Sequence, residues 1–233
     1  MPELKNEVIT VFYHDDVTCY ILHGQQGDLL IDTGFIKSWS KLKNWILLYD
    51  VKYIFLTHAH VDHDWNAARI KNQFNAKIIL SQHDRTLMQN FFSQPPLPTD
   101  PKYRFRNAVQ KVGGYFLKSK PYEPDIYVTE QNLDILKSLG FDAEIIMLPG
   151  HTLGSMGVLC DNVLYCGDAF TALWRKPDIS PHAANIELMN ESLQKILAIN
   201  PKILAPGHGS FVKMSDARPV IEEYLKQHPQ KTT

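Results

Sequence analysis

The chain has 233 residues, 44% of them hydrophobic, enough for one sizeable domain. Its formal net charge is −1, so no overall charge excess points to nucleic acid or to an anionic membrane. Three cysteines make no disulfide framework, no run approaches the ~18 apolar residues of a membrane span, and the polar start lacks the apolar core of a secretion signal. A reducing cytoplasm is the expected location.

In chain order, residues 8–13, 18–22 and 28–31 are short β-branched or apolar runs split by Asp15-Asp16 and Gly24-Gln25-Gln26-Gly27, the pattern of an antiparallel meander. Trp39, Leu42, Trp45, Ile46 and Tyr49 recur at helical spacing and predict a helix over 38–49. A buried strand at 53–56 leads into Thr57-His58-Ala59-His60-Val61-Asp62-His63. A helix is expected over 64–71, a strand over 77–80 and a further helix over 81–92. Between 93 and 124 a run of prolines and the pair Gly113-Gly114 break every regular pattern, while Tyr103, Phe105, Tyr115 and Phe116 give the segment something to pack. The expectation is a single domain over 1–233 with a lid-like insertion at about 93–125. Strands resume at 126–128, 144–148, 156–160 and 163–166. A two-residue turn at Asp161-Asn162 sets Cys160 opposite Val163, not opposite Cys166. A helix carrying Ile186, Met189, Leu193, Ile196 and Leu197, a strand at 203–204 and a helix carrying Val220, Ile221, Tyr224 and Leu225 complete a strand-rich layered chain.

Seven metal-ligand residue types fall at four points, each after an expected strand: His58, His60, Asp62 and His63; His151 in Pro149-Gly150-His151-Thr152; Asp168 in Cys166-Gly167-Asp168; His208 in Pro206-Gly207-His208-Gly209. His58 and His60 are two apart, so in an extended segment both imidazoles project to one side. Asp62 and His63 come as the chain turns into a helix and can address a second position nearby. The carboxylate of Asp168 has two oxygens and can bridge two cations. Seven such groups exceed what one tetrahedral zinc needs, and imidazole with carboxylate suits zinc, iron or manganese. Two ions sharing a site imply chemistry: they polarise a carbonyl or phosphoryl oxygen and make water nucleophilic without Ser or Cys.

These motifs, in this order and with Leu30-Ile31-Asp32-Thr33-Gly34 upstream, resemble the metallo-β-lactamase-fold superfamily from about Val8 to Tyr224. The resemblance implies a four-layer αβ/βα sandwich, mixed α and β, with a dinuclear site at one edge. It implies one divalent ion held by His58, His60 and His151 and another by Asp62, His63 and His208, with Asp168 bridging. Zinc is the default metal, with iron or manganese as alternatives. It further implies a metal-dependent hydrolase that cleaves a small ester, thioester or lactone with a metal-activated hydroxide, Asp62 orienting it or shuttling a proton. Members with iron perform oxygen or sulfur chemistry, and others cleave phosphodiesters, so a redox enzyme and a nuclease are the alternative readings.

Two departures concern the substrate. Relatives carry a small residue, often Gly, two positions after the equivalent of His63; here that residue is Trp65, which is expected to line one wall of the pocket. Only 25 residues follow His208, whereas glutathione thioester hydrolases of the superfamily carry a longer helical C-terminal domain, which speaks against that activity. His182, in the segment after Asp168, is a second expected substrate-binding residue. Asp32 is read equally as a turn residue and as support for a histidine ligand. Lys102, Arg104, Arg106, Lys111, Lys118 and Lys120 in the insertion face one acid, Asp100. They form either a solvated basic surface or a cap that attracts an anionic small molecule. Nucleic acid and membrane are not expected partners, and the sequence leaves the oligomeric state open.

Overall fold

The computed structural model describes residues 8–10, 17–105, 108 and 118–229. Its first sheet has six strands in the order β1 (Val8–Thr10), β2 (Thr18–Gly24), β3 (Gly27–Ile31), β4 (Val51–Phe55), β5 (Lys77–Ser81) and then Ile126–Val128. The first three are antiparallel, as the meander pattern predicts, and β3, β4, β5 and Ile126–Val128 are parallel. The second sheet runs Val212–Lys213, Ile203–Pro206, Val163–Gly167, Met156–Cys160, Glu144–Met147. Its hairpin pairs Val163 with Cys160, so the two neighbouring thiols are not cross-strand partners. Asp161 and Asn162 both take positive φ (48° and 63°), the backbone of a two-residue turn whose twist suits the strands.

Strand alternation sorts the side chains into layers. Tyr20, Leu22, Leu29, Ile31, Phe55 and Ile79 face Val158, Val163, Tyr165 and Ala205 of the other sheet, and the Tyr20 and Tyr165 rings meet edge-on at 4.9 Å. The intervening Cys19, Ile21, Leu30, Ile54, Ile78 and Leu80 point outward beneath helix α1 (Trp39–Ile46) and its neighbours. On the second sheet Leu164, Cys166 and Leu204 lie under the helices Ile186–Ile199 and Met214–Gln227. The result is the four-layer αβ/βα sandwich expected from the motifs. No helix among the described residues is long and apolar enough to cross a membrane.

Three helices depart from their sequence patterns. The helix expected over 64–71 splits into α2 (Val61–Asp64) and α3 (Ala67–Phe74). Asn66 separates them because its side-chain amide donates to the carbonyl of Thr33 at 2.8 Å, and its backbone N–H donates to Thr33 Oγ1 at 3.2 Å. The segment over 81–92 is a 3₁₀ turn, the helix Arg85–Gln89 and a second 3₁₀ turn, capped by Ser81 and Asn90 side chains. The last helix begins at Met214 and carries Pro219 inside it.

Within the insertion, the described part is anchored to the second half of the chain. Leu97–Pro98 pairs antiparallel with His182–Ala183. Thr99 Oγ1 donates to the carbonyl of Ser180 at 2.5 Å, and the Tyr103 hydroxyl donates to Asp178 at 2.6 Å. At its far end the hydroxyls of Ser119 and Tyr122 donate to Asp64. Arg106, Lys111, Tyr115 and Phe116 lie outside the described residues. Lys102 sits between Asp100 and Asp178, and Lys118 and Lys120 are exposed on either side of Ser119.

Candidate metal centre

The four ligand-bearing loops meet at one edge of the sandwich because each leaves a strand end at that edge. His58 and His60 follow β4. Asp62 and His63 lie in α2, which begins as soon as the extended His60 ends. His151 follows Glu144–Met147, Asp168 follows Val163–Gly167, and His208 follows Ile203–Pro206. The backbone is shaped to let them converge. Gly167 has φ +51°, and a Cβ there would lie 2.7 Å from Thr57. A Cβ on Gly207 would lie 2.6 Å from both Asp168 Oδ1 and the His63 ring, so any other residue would push into the site.

Three trios of ligand atoms lie within 4.8 Å of one another: His58, His60 and His151; His58, His63 and Asp168; Asp62, His63 and His208. In the first, His60 Nδ1 and His151 Nε2 stand 2.9 Å apart. Asp168 reaches residues of both flanking trios, 3.5 Å from His63 Nε2 through one oxygen, and 3.5 Å from His151 Nε2 and 3.3 Å from His208 Nε2 through the other. His208 Nε2 is also 3.3 Å from Asp62 Oδ2. His58 Nε2, His63 Nε2 and Asp168 Oδ1 are buried with no hydrogen-bond partner. A buried unpaired polar atom costs about 1–3 kcal/mol, so three within one cluster of imidazoles and carboxylates fit cations. The donor set, nitrogen and oxygen without thiolate, suits zinc, iron or manganese.

Supporting residues fix each ring. Asp32, strained at φ +58°, accepts from Thr57 N and Thr57 Oγ1, both at 2.8 Å, and pairs with His63 Nδ1 at 2.8 Å. Thr57 Oγ1 also lies 3.0 Å from His58 Nδ1. One carboxylate thus orients two imidazoles, and of the two roles read from the sequence Asp32 takes the supporting one. Asp84 does the same on the other side. It is fully buried and accepts from Ala59 N, Thr152 Oγ1, Gly154 N and Gln94 Nε2. His151 Nδ1 lies 3.0 Å from both the carbonyl of His182 and Ser180 Oγ. The sequence reading passed over Asp84, Gln94 and Ser180. Asp84 carried a usable signal, a carboxylate just past a strand that ends beside the one delivering His58.

Charge differs sharply across the site. Burial, then the neighbouring imidazoles, lowers His60 to about 3 and pushes His58 well below its ordinary value. Burial also lowers His63 and His208, but Asp32 and Asp168 overcome it and raise His63 to about 9, and Asp168 and Asp62 raise His208 well above its usual range. Burial alone would raise Asp62 and Asp168, yet His208 and His63 hold both below the usual carboxylate range.

Of the two expected substrate residues, His182 lies against the site and Trp65 lies beside it. The His182 ring is 4.6 Å from that of His151 and 5.9 Å from that of His60. Trp65, at the end of α2, is half-buried and packs edge-on to Phe35 at 4.9 Å. Phe91, which the sequence pattern offers only as an interface residue, has its ring 5.8 Å from His60.

A layered αβ/βα scaffold with loop-borne imidazoles and carboxylates gathered at one sheet edge defines a metal-dependent enzyme. The chain belongs to the metallo-beta-lactamase superfamily, whose profile matches residues 13–208. It is 25% identical over 224 residues to the metallo-beta-lactamase fold-containing protein ST1585 of Sulfurisphaera tokodaii, covering 93% of this chain and 80% of that one. The crystal structure of ST1585 superposes with a TM-score of 0.62 at 23% identity, over 93% of this chain and 81% of that one. The hydroxyacylglutathione hydrolase GloC of Haemophilus influenzae is 27% identical over 174 residues, 72% of this chain and 74% of GloC. The structure of TTHA1623 in a di-iron-bound form superposes with a TM-score of 0.64 at 20% identity, covering 92% of this chain and 98% of that one.

Proposed function

We propose that the protein is a dinuclear metal-dependent hydrolase of a small ester, thioester or lactone, with zinc in both positions. The observation that carries the reading is Asp168, whose two oxygens lie within 3.5 Å of His63, His151 and His208 and so link the two outer trios. On this reading His58, His60 and His151 hold one ion, Asp62, His63 and His208 the other, and Asp168 both. Divalent metal there supplies Lewis acidity toward a carbonyl and a water that is nucleophilic near neutral pH. Asp62 is the ligand most open to solvent, its side chain 37% exposed, and it accepts a hydrogen bond from the attacking water and orients it. His58, His60, His63, His151 and Asp168 are buried, which keeps these interactions strong.

The likeness to GloC supports an acylated thiol among the substrates, because the aligned region is most of that protein. It weakens the expectation, drawn from the short segment after His208, that such substrates are excluded. A second reading, an iron-dependent redox enzyme, is favoured by the same donor set and by the di-iron form of TTHA1623. Metal analysis of protein purified without added metal, followed by a screen of lactones, thioesters and phosphodiesters with His60→Ala as blank, tests both. Zinc near two per chain with acyl hydrolysis lost in the blank is expected. Stoichiometric iron with oxygen consumption would replace the hydrolase by the redox reading.

A further inference from the structure

His182 is a histidine that the metal set leaves unused. Its side chain is buried, with 7% of the residue exposed, and its Nδ1 has no hydrogen-bond partner at all. A buried imidazole nitrogen without a partner is costly, so its position calls for a ligand, a water or a substrate. The metal itself is not the answer, because none of the three trios of mutually close ligand atoms includes His182. Yet its ring lies against His151 and beside His60, on the side of the site made of imidazoles alone.

The backbone holds it there. His182 pairs with Pro98 in a two-residue strand, and its carbonyl lies 3.0 Å from His151 Nδ1. Thr99 N–H donates to the carbonyl of Pro181 at 3.2 Å, next to the bond from Thr99 Oγ1 to Ser180. The segment that opens the insertion therefore clamps the segment that carries His182.

The other neighbour of His60 is apolar. The Phe91 ring, 5.8 Å from His60, meets Phe92 edge-on at 5.5 Å, and Phe92 is 43% exposed. The pair makes an aromatic shelf that starts beside a metal-ligand histidine and runs to the surface. Among the described residues, no lysine or arginine is buried. A carboxylate-bearing group thus finds no buried lysine or arginine among the described residues, whereas an alkyl or aryl group finds a shelf.

We infer that His182 positions the substrate by a hydrogen bond from its imidazole to the acyl ester or thioester group, while Phe91 and Phe92 take an apolar acyl chain. The inference rests on the hydrolase reading and narrows it to neutral, apolar acyl compounds. His182 is a positioning residue: it is neither a metal ligand nor a donor of a proton in the reaction.

The test uses the full-length, metal-quantified protein with a series of p-nitrophenyl and thiol esters from acetyl to octanoyl and benzoyl. For wild type, kcat/KM should rise with chain length. His182→Phe keeps the ring and removes the polar nitrogens. It should raise KM about tenfold, the worth of one hydrogen bond, with kcat and metal content near wild type. His182→Asn places a side-chain polar atom near the position of Nδ1 and should recover most of that loss, which a purely structural role would not. Phe91→Ala should flatten the chain-length trend, with its largest loss on the octanoyl ester and its smallest on the acetyl ester. Calorimetry with acetate and octanoate adds a readout independent of turnover. Octanoate should bind wild type more tightly than acetate, and Phe91→Ala should remove the difference even if His182→Phe fails to fold. Equal losses on every ester, loss of metal in His182→Phe, or variants that behave as wild type because Nδ1 meets only a water would each overturn the inference. Wild type inactive on the whole series but active in oxygen consumption or on phosphodiesters would overturn the hydrolase reading, and this inference with it.

Discussion

The two outer trios are built from similar residues but differ in charge. The trio His58, His60 and His151 is made of imidazoles, and burial with mutual repulsion keeps His58 and His60 neutral although Asp168 reaches His151. Around Asp62, His63 and His208 the carboxylates Asp32, Asp62 and Asp168 favour the charged imidazole. The first pocket can attract a cation through neutral lone pairs, the second through net negative charge. Their supports differ as well. Asp32 holds the second pocket from a single strand end, whereas the first is held by Asp84, Ser180 and Gln94, which come from both halves of the sandwich and from the insertion. Disturbing one support should therefore separate the pockets, and disturbing the residue they share should not.

Asp168→Ala removes that shared residue, and the largest effect is expected there. Both ions should be lost on dialysis, and turnover should fall by more than the roughly 10–100-fold typical of losing an outer-shell partner. Metal analysis beside kinetics checks it. One tightly held ion per chain would show that one pocket is complete without Asp168. Next in size is removal of metal by a chelator. Ligand at a hundred times its Kd stabilises a fold by about 2.7 kcal/mol, and in a domain of this size that is roughly 5–10 °C in Tm. Thermal melts with and without chelator should differ by that amount, and identical melts would show that the site holds no metal in the purified protein.

How far the sequence could reveal this contrast depends on range. The seven candidate ligands were legible because each lies a residue or a few past an apolar run, so strand periodicity alone places them at strand ends. Thr57 and Asp32 were half-legible, since they sit next to a ligand or inside a recognised turn. Asp84 was legible only by its place just past a strand end and Ser180 not at all, because their partners are far away in the chain: Asp84 accepts from Thr152 and Ser180 contacts His151. The split of the helix over 64–71 has the same origin. Its apolar pattern is continuous, and only the long-range bonds from Asn66 to the turn at Thr33 break it. Trp65 was expected at the pocket wall. In the structure its ring contact is with Phe35, and it is Phe91 that adjoins a ligand.

Asp32→Ala and Asp84→Ala form a paired test of the separate supports. Each should weaken metal binding by roughly 10–100-fold, but at different positions. Asp32→Ala frees His63 and, through Thr57, His58, so the second ion should leave first and the first should loosen. Asp84→Ala unties the loops carrying His60 and His151 and should leave the Asp62–His63–His208 pocket loaded. Stepwise chelation followed by metal counting reads the order. Loss of both ions together in both variants would mean that the pockets are one cooperative unit.

Gln94→Ala gives the smallest expected effect and isolates the insertion's share. Gln94 Nε2 donates to Asp84 Oδ1 and to the carbonyl of His83, both at 3.1 Å, and its Oε1 accepts from Leu153 N at 2.7 Å. It is buried, and its loss leaves the Leu153 N–H without its partner and takes one donor from Asp84. Leu153 is 40% exposed, so water can reach that N–H, and the lost hydrogen bonding costs about 0.5–1.5 kcal/mol, or a Tm lower by roughly 1–6 °C. Asp84 keeps its bonds from Ala59, Thr152 and Gly154, so the ligand loops stay in place and metal content should remain at wild-type level. A lower Tm with full metal would make the start of the insertion a buttress for the fold. Loss of the first ion alone would instead place it among the supports of that pocket.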